Sequence, residues 1–371
     1  MGLRVVIAGG GTGGHLYPGI AVARELLSRR PDATVTFAGT SRGLEARVVP
    51  REGFVLDLIR SSGLKGKGIA DRLRGAAILP ASMLDAWRVI SRRRPQIVIG
   101  VGGYSSGPVV LAGALRRVPA MLLEQNAVPG LTNRLLAPFV QAAAVTFGAT
   151  QAFFGAKGFV SGNPVRPEFL ATAGPQQGWA SDEQTSVARI LVFGGSQGAH
   201  AINMAMVEAA PRLAADGTHL RLTHQTGERD LEMVRTAYRQ AGLSADAEAF
   251  LYDMGRHLRR ADVVVCRAGA TTLAEITAAG KAAILIPLPT ATDDHQRKNA
   301  EALAASGAAE ILPQADLSGA VLADRLLALA RDGARRTQMA TAAYQLARPD
   351  AARVIVDRVL ALVNEAPDRA G

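Results

Sequence analysis

The chain has 371 residues, 48% hydrophobic and 20% charged, which excludes a disordered protein and leaves room for two domains with full cores. Its net charge of +10 is uneven: residues 1–165 carry 20 Lys/Arg against 8 Asp/Glu, whereas residues 166–371 carry 22 against 24. A basic first half suits an anionic membrane surface, a phosphorylated substrate or nucleic acid.

The chain opens on the apolar run Val5–Ala8 and then Gly9-Gly10-Gly11-Thr12-Gly13-Gly14-His15. A buried strand that ends in glycines, followed by a helix, brings backbone N–H groups and the positive helix end to one spot, an anion site. Gly9, Gly11 and Gly14 match the spacing of the dinucleotide fingerprint. The next strand, Thr34–Ala38, ends Gly39-Thr40-Ser41-Arg42, without the acid that would hold an NAD ribose. Arg42 can instead read a 2′-phosphate, so an NADP oxidoreductase stays open. His15, directly after the glycines, stands where a general base or a phosphate donor would.

Residues 64–94 combine cations with apolar residues: Leu64, Lys65, Lys67 and Ile69, then Leu73, Ile78, Leu79, Met83, Leu84 and Trp87, then Arg92, Arg93 and Arg94. That pattern describes an interfacial contact with a membrane, or an amphipathic helix on its own sheet. The strand Ile97–Val101 ends in another glycine turn, Gly102-Gly103-Tyr104-Ser105-Ser106-Gly107-Pro108, whose N–H groups and hydroxyls suit a diphosphate. The strand Ala120–Glu124 places a carboxylate and two amides, Glu124, Gln125 and Asn126, at its end, and Ala143–Phe147 follows. Two prolines in Gly162-Asn163-Pro164-Val165-Arg166-Pro167 mark the domain boundary, so domains of 1–162 and 163–349 are expected. Gly174–Ser186 is polar and reads as a surface loop.

A second series then begins: Ile190–Phe193, followed by Gly194-Gly195-Ser196-Gln197-Gly198-Ala199-His200, then Leu220–Gln225, Ala249–Leu251, Val263–Cys266 and Ala283–Pro287. Most of these strands are continuous apolar runs, the mark of parallel strands buried on both faces. Helices at Pro18–Arg30, Asn203–Ala215, Thr271–Ala279 and Gln296–Ala305 fall between them. The βα alternation predicts two doubly wound α/β domains facing one cleft. After Cys266, small residues precede a helix on which Thr271 and Thr272 can cap and bind phosphate, while Glu275 can grip a sugar diol. Asp293 and Asp294 open a further polar helix start, but no third ligand at a recognisable spacing makes them a metal site. Residues 350–364 have helical apolar spacing and are expected to pack back on the first domain.

Cys266 is the only cysteine, which excludes an internal disulfide and suits a reducing compartment. No signal peptide is expected, because Met1-Gly2-Leu3-Arg4 runs straight into a strand, and no apolar run of 18 residues predicts a spanning helix.

Taken in order, Gly-Gly-Thr-Gly-Gly-His at 10–15, Ser-Gly-Leu-Lys-Gly-Lys-Gly at 62–68, Gly-Gly-Tyr-Ser-Ser-Gly-Pro at 102–108, Glu-Gln-Asn at 124–126, Gly-Asn-Pro-Val-Arg at 162–166, Gly-Gly-Ser-Gln-Gly-Ala at 194–199 and Asp-Val-Val-Val-Cys-Arg-Ala-Gly-Ala at 262–270 resemble the bacterial N-acetylglucosaminyltransferases that convert lipid I to lipid II in peptidoglycan synthesis, the MurG family. The resemblance implies an α/β GT-B fold, two Rossmann-like doubly wound parallel-sheet domains facing a central cleft. It implies an inverting transfer from UDP-N-acetylglucosamine, held by the second domain, to undecaprenyl-diphosphate-linked muramyl pentapeptide, held by the first. Carried over, Arg166 and Ser196 meet the diphosphate or nucleotide, the Leu251 backbone the uracil, Ala270, Thr271 and Thr272 the phosphate, Glu275 the ribose and Gln296 the sugar hydroxyls, with Leu273 and Ala274 also on the donor side. Thr12, Gly13, Gly14 and Asn126 close on the donor, and Gly102, Gly103, Tyr104 and Ser105 hold the acceptor. His15 is the expected base, with Glu124 as its orienter or rival. No metal, no cofactor and no nucleic acid are expected, and attachment is peripheral, at the cytoplasmic face of the inner membrane. The sequence departs from the family at His295, where some members have glutamine, and at Leu251, where others have isoleucine. Besides the NADP enzyme, a GT-B glycosyltransferase with another lipid acceptor and a non-catalytic nucleotide-sugar binder remain rivals.

Overall fold

The computed structural model describes residues 2–61, 69–170, 187–195 and 198–365. The chain divides into two compact units, Met1–Val165 with Arg348–Gly371, and Arg166–Ala347.

In the first unit the strands are β1 (Arg4–Gly9), β2 (Thr34–Gly39), β3 (Val55–Leu58), β4 (Ile97–Gly102), β5 (Ala120–Glu124), β6 (Ala142–Val145) and β7 (Gly158–Val160). Between them lie α1 (Gly13–Arg29), α2 (Glu45–Arg51), α3 (Ile69–Arg93), α4 (Ser106–Leu115), α5 (Leu131–Leu136) and α6 (Gly148–Phe154). The sheet is parallel, in the order β3-β2-β1-β4-β5-β6-β7. Alternate residues of one strand enter different cores. Val5 and Ile7 pack with α1, and Val6 and Ala8 pack with residues of α3 and α4. That two-sided burial is why these strands are apolar without a break. The chain returns to this unit in α14 (Ala351–Glu365), whose Ile355, Val356, Val359 and Leu362 share a core with Leu3, Ile20 and Leu26.

The second unit has β8 (Ala188–Phe193), α7 (His200–Ala215), β9 (Leu220–Gln225), α8 (Leu231–Ala241), β10 (Ala245–Glu248) and α9 (Met254–Arg260). It continues with β11 (Val263–Cys266), α10 (Ala270–Ala279), β12 (Ala282–Leu285), α11 (His295–Ala304), β13 (Ala309–Ile311), α12 (Gly319–Arg331) and α13 (Gly333–Gln345). Its parallel sheet runs β10-β9-β8-β11-β12-β13. In each sheet the order reverses beside the first strand of its unit, between β1 and β4 and between β8 and β11. That is the switch point at which open α/β sheets bind ligands.

The differences from expectation fall at the sheet edges. β3, β7 and β13 were not expected, and the strand expected at Ala249–Leu251 lies earlier, at Ala245–Glu248. All four are edge strands with partly exposed residues, so they lack the apolar run that marks a central strand. α1 begins at Gly13 rather than Pro18, which puts His15 in its first turn.

Because Ile355 is 1% exposed in the core that α14 shares with the first unit, Ile355→Ala should lower stability by about 2–5 kcal/mol. Urea titration checks this; a loss below about 0.5 kcal/mol would mean that α14 is not an integral part of that core.

Candidate functional site

At the first switch point the turns after β1 and β4 touch. A Cβ on Gly103 would lie 2.6 Å from the Gly10 carbonyl oxygen, and one on Gly102 would lie 2.8 Å from Nδ1 of His15. Both glycines have positive φ, 95° and 81° for Gly102 and Gly103. Only a residue without Cβ fits either place. The consequence is a His15 ring seated against the β4 turn, at the start of α1, whose N-cap is Thr12 and whose first residues are Gly13 and Gly14.

His15 is held by Gln125, 110 residues away: Nδ1 lies 3.1 Å from Oε1 of Gln125. Gln125 is itself oriented, since its Nε2 donates to the Val101 carbonyl at 3.1 Å, which turns its oxygen toward the histidine. Nδ1 is therefore the N–H of the neutral ring, and Nε2 carries the lone pair. The residue that orients His15 is thus Gln125 and not Glu124.

Glu124 is buried and accepts four hydrogen bonds from its own loop. Oε1 takes Asn126 N at 3.0 Å and Asn126 Nδ2 at 3.3 Å, and Oε2 takes Gly130 N at 2.9 Å and Asn133 Nδ2 at 2.8 Å. It shapes the segment that carries Gln125 and Asn126 and makes no bond to His15. On the acceptor side of the expected site, Tyr104 is 45% exposed, and Ser105 is buried at the start of α4.

A residue that the sequence did not single out governs the first glycine turn. Glu45, 1% exposed, accepts Gly11 N at 2.7 Å through Oε2, and Thr40 N and Oγ1 at 2.9 and 2.8 Å through Oε1. A carboxylate thus occupies an N–H that a dinucleotide pyrophosphate would use, and the NADP alternative finds no support here. An acid just past the second strand's glycine turn was the available signal.

In the second unit, Gln225, the last residue of β9, plays a similar part. Its Nε2 donates to the Gly195 carbonyl at 2.7 Å, and its Oε1 accepts Leu251 N at 2.9 Å. The Leu251 N–H is therefore engaged, and its carbonyl is the backbone group left to meet a base. Phe250 and Tyr252 flank it, 44% and 93% exposed.

Arg166 and Glu275, 109 residues apart, come together. Nη2 of Arg166 lies 3.3 Å from Oε1 of Glu275, and its guanidinium carbon sits 4.5 Å over the Phe169 ring. Burial pushes the Glu275 carboxyl up to about 7, and the Arg166 charge limits the rise. Glu275 stands on α10, whose N-cap is Gly269, so no side chain caps the turn formed by Ala270, Thr271 and Thr272. Ala274 is half-buried, whereas Leu273 is buried with its N–H donated to Gly269 O, which makes it a packing residue. Gln296 links two loops, its Oε1 accepting Ala268 N at 3.2 Å and Leu288 N at 3.0 Å. Its amide N–H groups remain for a ligand. Just before it, Asp293 and Asp294 hold left-handed backbone, φ 53° and 55°. Strain of this kind collects at ligand-binding segments.

Ser196, the 62–68 segment and the loop 174–186 lie outside the described residues. Among the described residues no cluster of three or more His, Cys, Asp or Glu could hold a metal ion, and no helix is long and apolar enough to cross a membrane.

Residues 5–145 match the N-terminal domain of glycosyltransferase family 28, and residues 189–355 match its C-terminal domain. A protein of Pelobacter propionicus is 48% identical over 98% of this chain and 100% of its own length. One of Anaeromyxobacter sp. (strain K) is 47% identical over 98% and 94%. Both are named UDP-N-acetylglucosamine--N-acetylmuramyl-(pentapeptide) pyrophosphoryl-undecaprenol N-acetylglucosamine transferase. The crystal structure of Acinetobacter baumannii MurG superposes with a TM-score of 0.82 at 32% identity, covering 97% of this chain and 99% of that one.

The Glu275 carboxyl has a pH signature. Its folded value, about 7, lies above its ordinary 4.5, so the folded state keeps a proton that the unfolded chain releases. Stability from this group is full below about 4.5 and is lost as pH rises through about 7, by about 3 kcal/mol in all. Glu275→Gln should therefore raise the melting temperature more at pH 8 than at pH 5. An equal effect at both would show that Glu275 ionises as readily folded as unfolded.

Proposed function

The chain belongs to glycosyltransferase family 28, among the lipid I N-acetylglucosaminyltransferases, and from that premise we propose how its residues carry the reaction. It is an N-acetylglucosaminyltransferase of peptidoglycan synthesis. It moves N-acetylglucosamine from UDP-N-acetylglucosamine to the muramyl sugar of lipid I and forms lipid II. Its fold of two Rossmann-like parallel-sheet units is the GT-B arrangement.

The acceptor 4-hydroxyl attacks the anomeric carbon as the bond to the diphosphate breaks, and the configuration inverts from α to β. His15 takes the hydroxyl proton on Nε2. The observation that carries this assignment is the Gln125 bond to Nδ1, which leaves Nε2 as the basic nitrogen. Gln125 is the positioning residue for that base, and Glu124 holds the segment that carries Gln125. Gly102, Gly103, Tyr104 and Ser105 meet the acceptor, and Thr12, Gly13, Gly14 and Asn126 meet the donor from the first unit.

In the second unit the Leu251 carbonyl reads the uracil, and Arg166 and Ser196 meet the nucleotide or its diphosphate. Ala270, Thr271 and Thr272, on the first turn of α10, receive phosphate; Glu275 holds the ribose, and Gln296 the sugar hydroxyls. The charge of the leaving diphosphate is met by N–H donors and helix starts, without a metal.

Transfer of labelled N-acetylglucosamine to a lipid I analogue tests this assignment. His15→Ala should lower turnover about a hundredfold or more while UDP affinity changes little, and EDTA should leave the wild-type rate intact. An unaltered rate in the variant would remove His15 from the base role; a rate lost with EDTA would bring a metal into the reaction.

The lipid acceptor requires a membrane, and we propose peripheral attachment at the cytoplasmic face through α3 and its neighbour α4. Leu79, Leu84 and Trp87 on α3 are 45%, 57% and 44% exposed, and Leu115 on α4 is 59% exposed. Arg116 stacks over Trp87 at 5.0 Å, and Arg88, Arg92 and Arg94 lie along the same helix and its end. Apolar side chains rimmed by arginine suit an anionic bilayer surface. Replacing both Leu84 and Trp87 by Glu should weaken co-sedimentation with phosphatidylglycerol vesicles at least tenfold, since each apolar side chain contributes about 1.5–3 kcal/mol on burial. Undiminished binding would place the membrane contact elsewhere.

A further inference from the structure

Three segments of the first unit close on one side chain. Glu45 opens α2, just past the loop that follows β2. Val49, four residues on and so on the same helix face, is fully buried in the core shared with α1, which fixes α2 against the unit. The carboxylate placed in this way joins the ends of two neighbouring strands. Oε2 accepts Gly11 N, after β1, at 2.7 Å; Oε1 accepts Thr40 N and Oγ1, after β2, at 2.9 and 2.8 Å. Thr40 Oγ1 in turn accepts Gly43 N at 3.2 Å, which ties in the segment leading to α2.

Glycines make the space for this group. A Cβ on Gly10 or on Gly43 would overlap the carboxylate, and one on Gly39 would lie 2.6 Å from its Cγ. Gly39 and Gly43 do not have positive φ, so the demand there is for room and not for an unusual backbone. The turn that Glu45 holds has little stiffness of its own. Gly9, Gly10 and Gly11 follow one another with φ of 147°, 152° and 86°, and glycine has the most backbone freedom to lose. Thr12 comes next, and its carbonyl accepts the N–H groups of His15 and Leu16 at 3.3 and 3.2 Å, the first bonds of α1. His15 is thus fixed twice: at its ring by Gln125, and at its backbone by Glu45 acting through Gly11.

We propose that Glu45 is a positioning residue for the transfer: by holding Gly11 N it sets the start of α1, and so keeps Nε2 of His15 where it meets the acceptor hydroxyl. This rests on reading His15 as the base. Glu45 exchanges no proton in the step. It acts through geometry, and displacing a reacting group by about 1 Å costs about a hundredfold in rate.

Two variants test the role from opposite sides. Glu45→Met keeps the unbranched stem and removes both oxygens. Gly43→Ala leaves Glu45 in the chain and pushes its carboxylate aside with a methyl group. Hydrogen exchange across residues 9–15 reads the tie itself, and the lipid I analogue assay reads kcat and the donor KM. Both variants should speed exchange about tenfold or more, lower kcat about ten- to a hundredfold and leave the donor KM within about threefold. In a His15→Ala background the same substitutions should lower the residual rate by less than about threefold, because the base through which they act is gone. A purely structural role would cost the same in both backgrounds. Unchanged exchange, a kcat within about twofold of wild type, a loss confined to KM, or an undiminished further loss in the His15→Ala background would overturn the proposal. If Glu45→Met does not fold, Gly43→Ala decides by the same readings. A wild-type rate in His15→Ala would defeat the base assignment on which the proposal stands; with that assignment upheld, the outcomes just named overturn the role of Glu45 alone.

Discussion

Everything in the first unit depends on how closely two backbones approach at the switch point. The turns after β1 and β4 come so near that a Cβ on Gly103 would meet the Gly10 carbonyl and one on Gly102 would meet the His15 ring. The parallel sheet imposes the meeting, because neighbouring strands on either side of the reversal end at the same level and their connections leave in opposite directions. Glycine makes the approach sterically possible, and the approach in turn fixes the position of the imidazole. A bulkier turn would push His15 off the seat on which Gln125 can reach it.

Loops so short of side chains cannot satisfy their own backbone, and this protein satisfies them with carboxylates and amides, all buried except the half-buried Gln296. Glu45 takes the Gly11 N–H, Glu124 takes its own loop, Gln225 joins the Gly195 carbonyl to the Leu251 N–H, and Gln296 joins Ala268 to Leu288. Each bond removes an orphaned polar group and, equally, a freedom of motion. Among the described residues, Nε2 of His15, the Leu251 carbonyl and the Gln296 amide N–H groups are left with defined direction beside these bonds. Such preorganisation is what a transfer reaction needs, since the donors are already placed when charge develops.

The second unit adds electrostatic tension to that geometry. Glu275 is buried enough that its carboxyl holds a proton to about pH 7, with Arg166 as its counterweight. Asp293 and Asp294 sit in a backbone conformation that non-glycine residues rarely adopt. Both features work against stability; Glu275 is assigned to the donor, and Asp293 and Asp294 directly precede the helix that carries Gln296. Function commonly retains features that folding by itself would not favour.

The central strands, the two glycine turns and the helices after them were legible in the amino-acid order, because two-sided burial writes itself as an unbroken apolar run and a close backbone approach as a cluster of glycines. Edge strands β3, β7, β10 and β13 escaped for the same reason in reverse: one exposed face removes the run. Sequence also marked His15 and Glu275 as candidates by type and place, and Gln296 through the resemblance. It could not assign their partners. That Gln125 rather than Glu124 holds His15, that Arg166 meets Glu275 across 109 residues, and that Glu45 closes the first turn are contacts between segments far apart in the chain. Local periodicity carries no information about such pairs; the strand order of the folded sheets decides them.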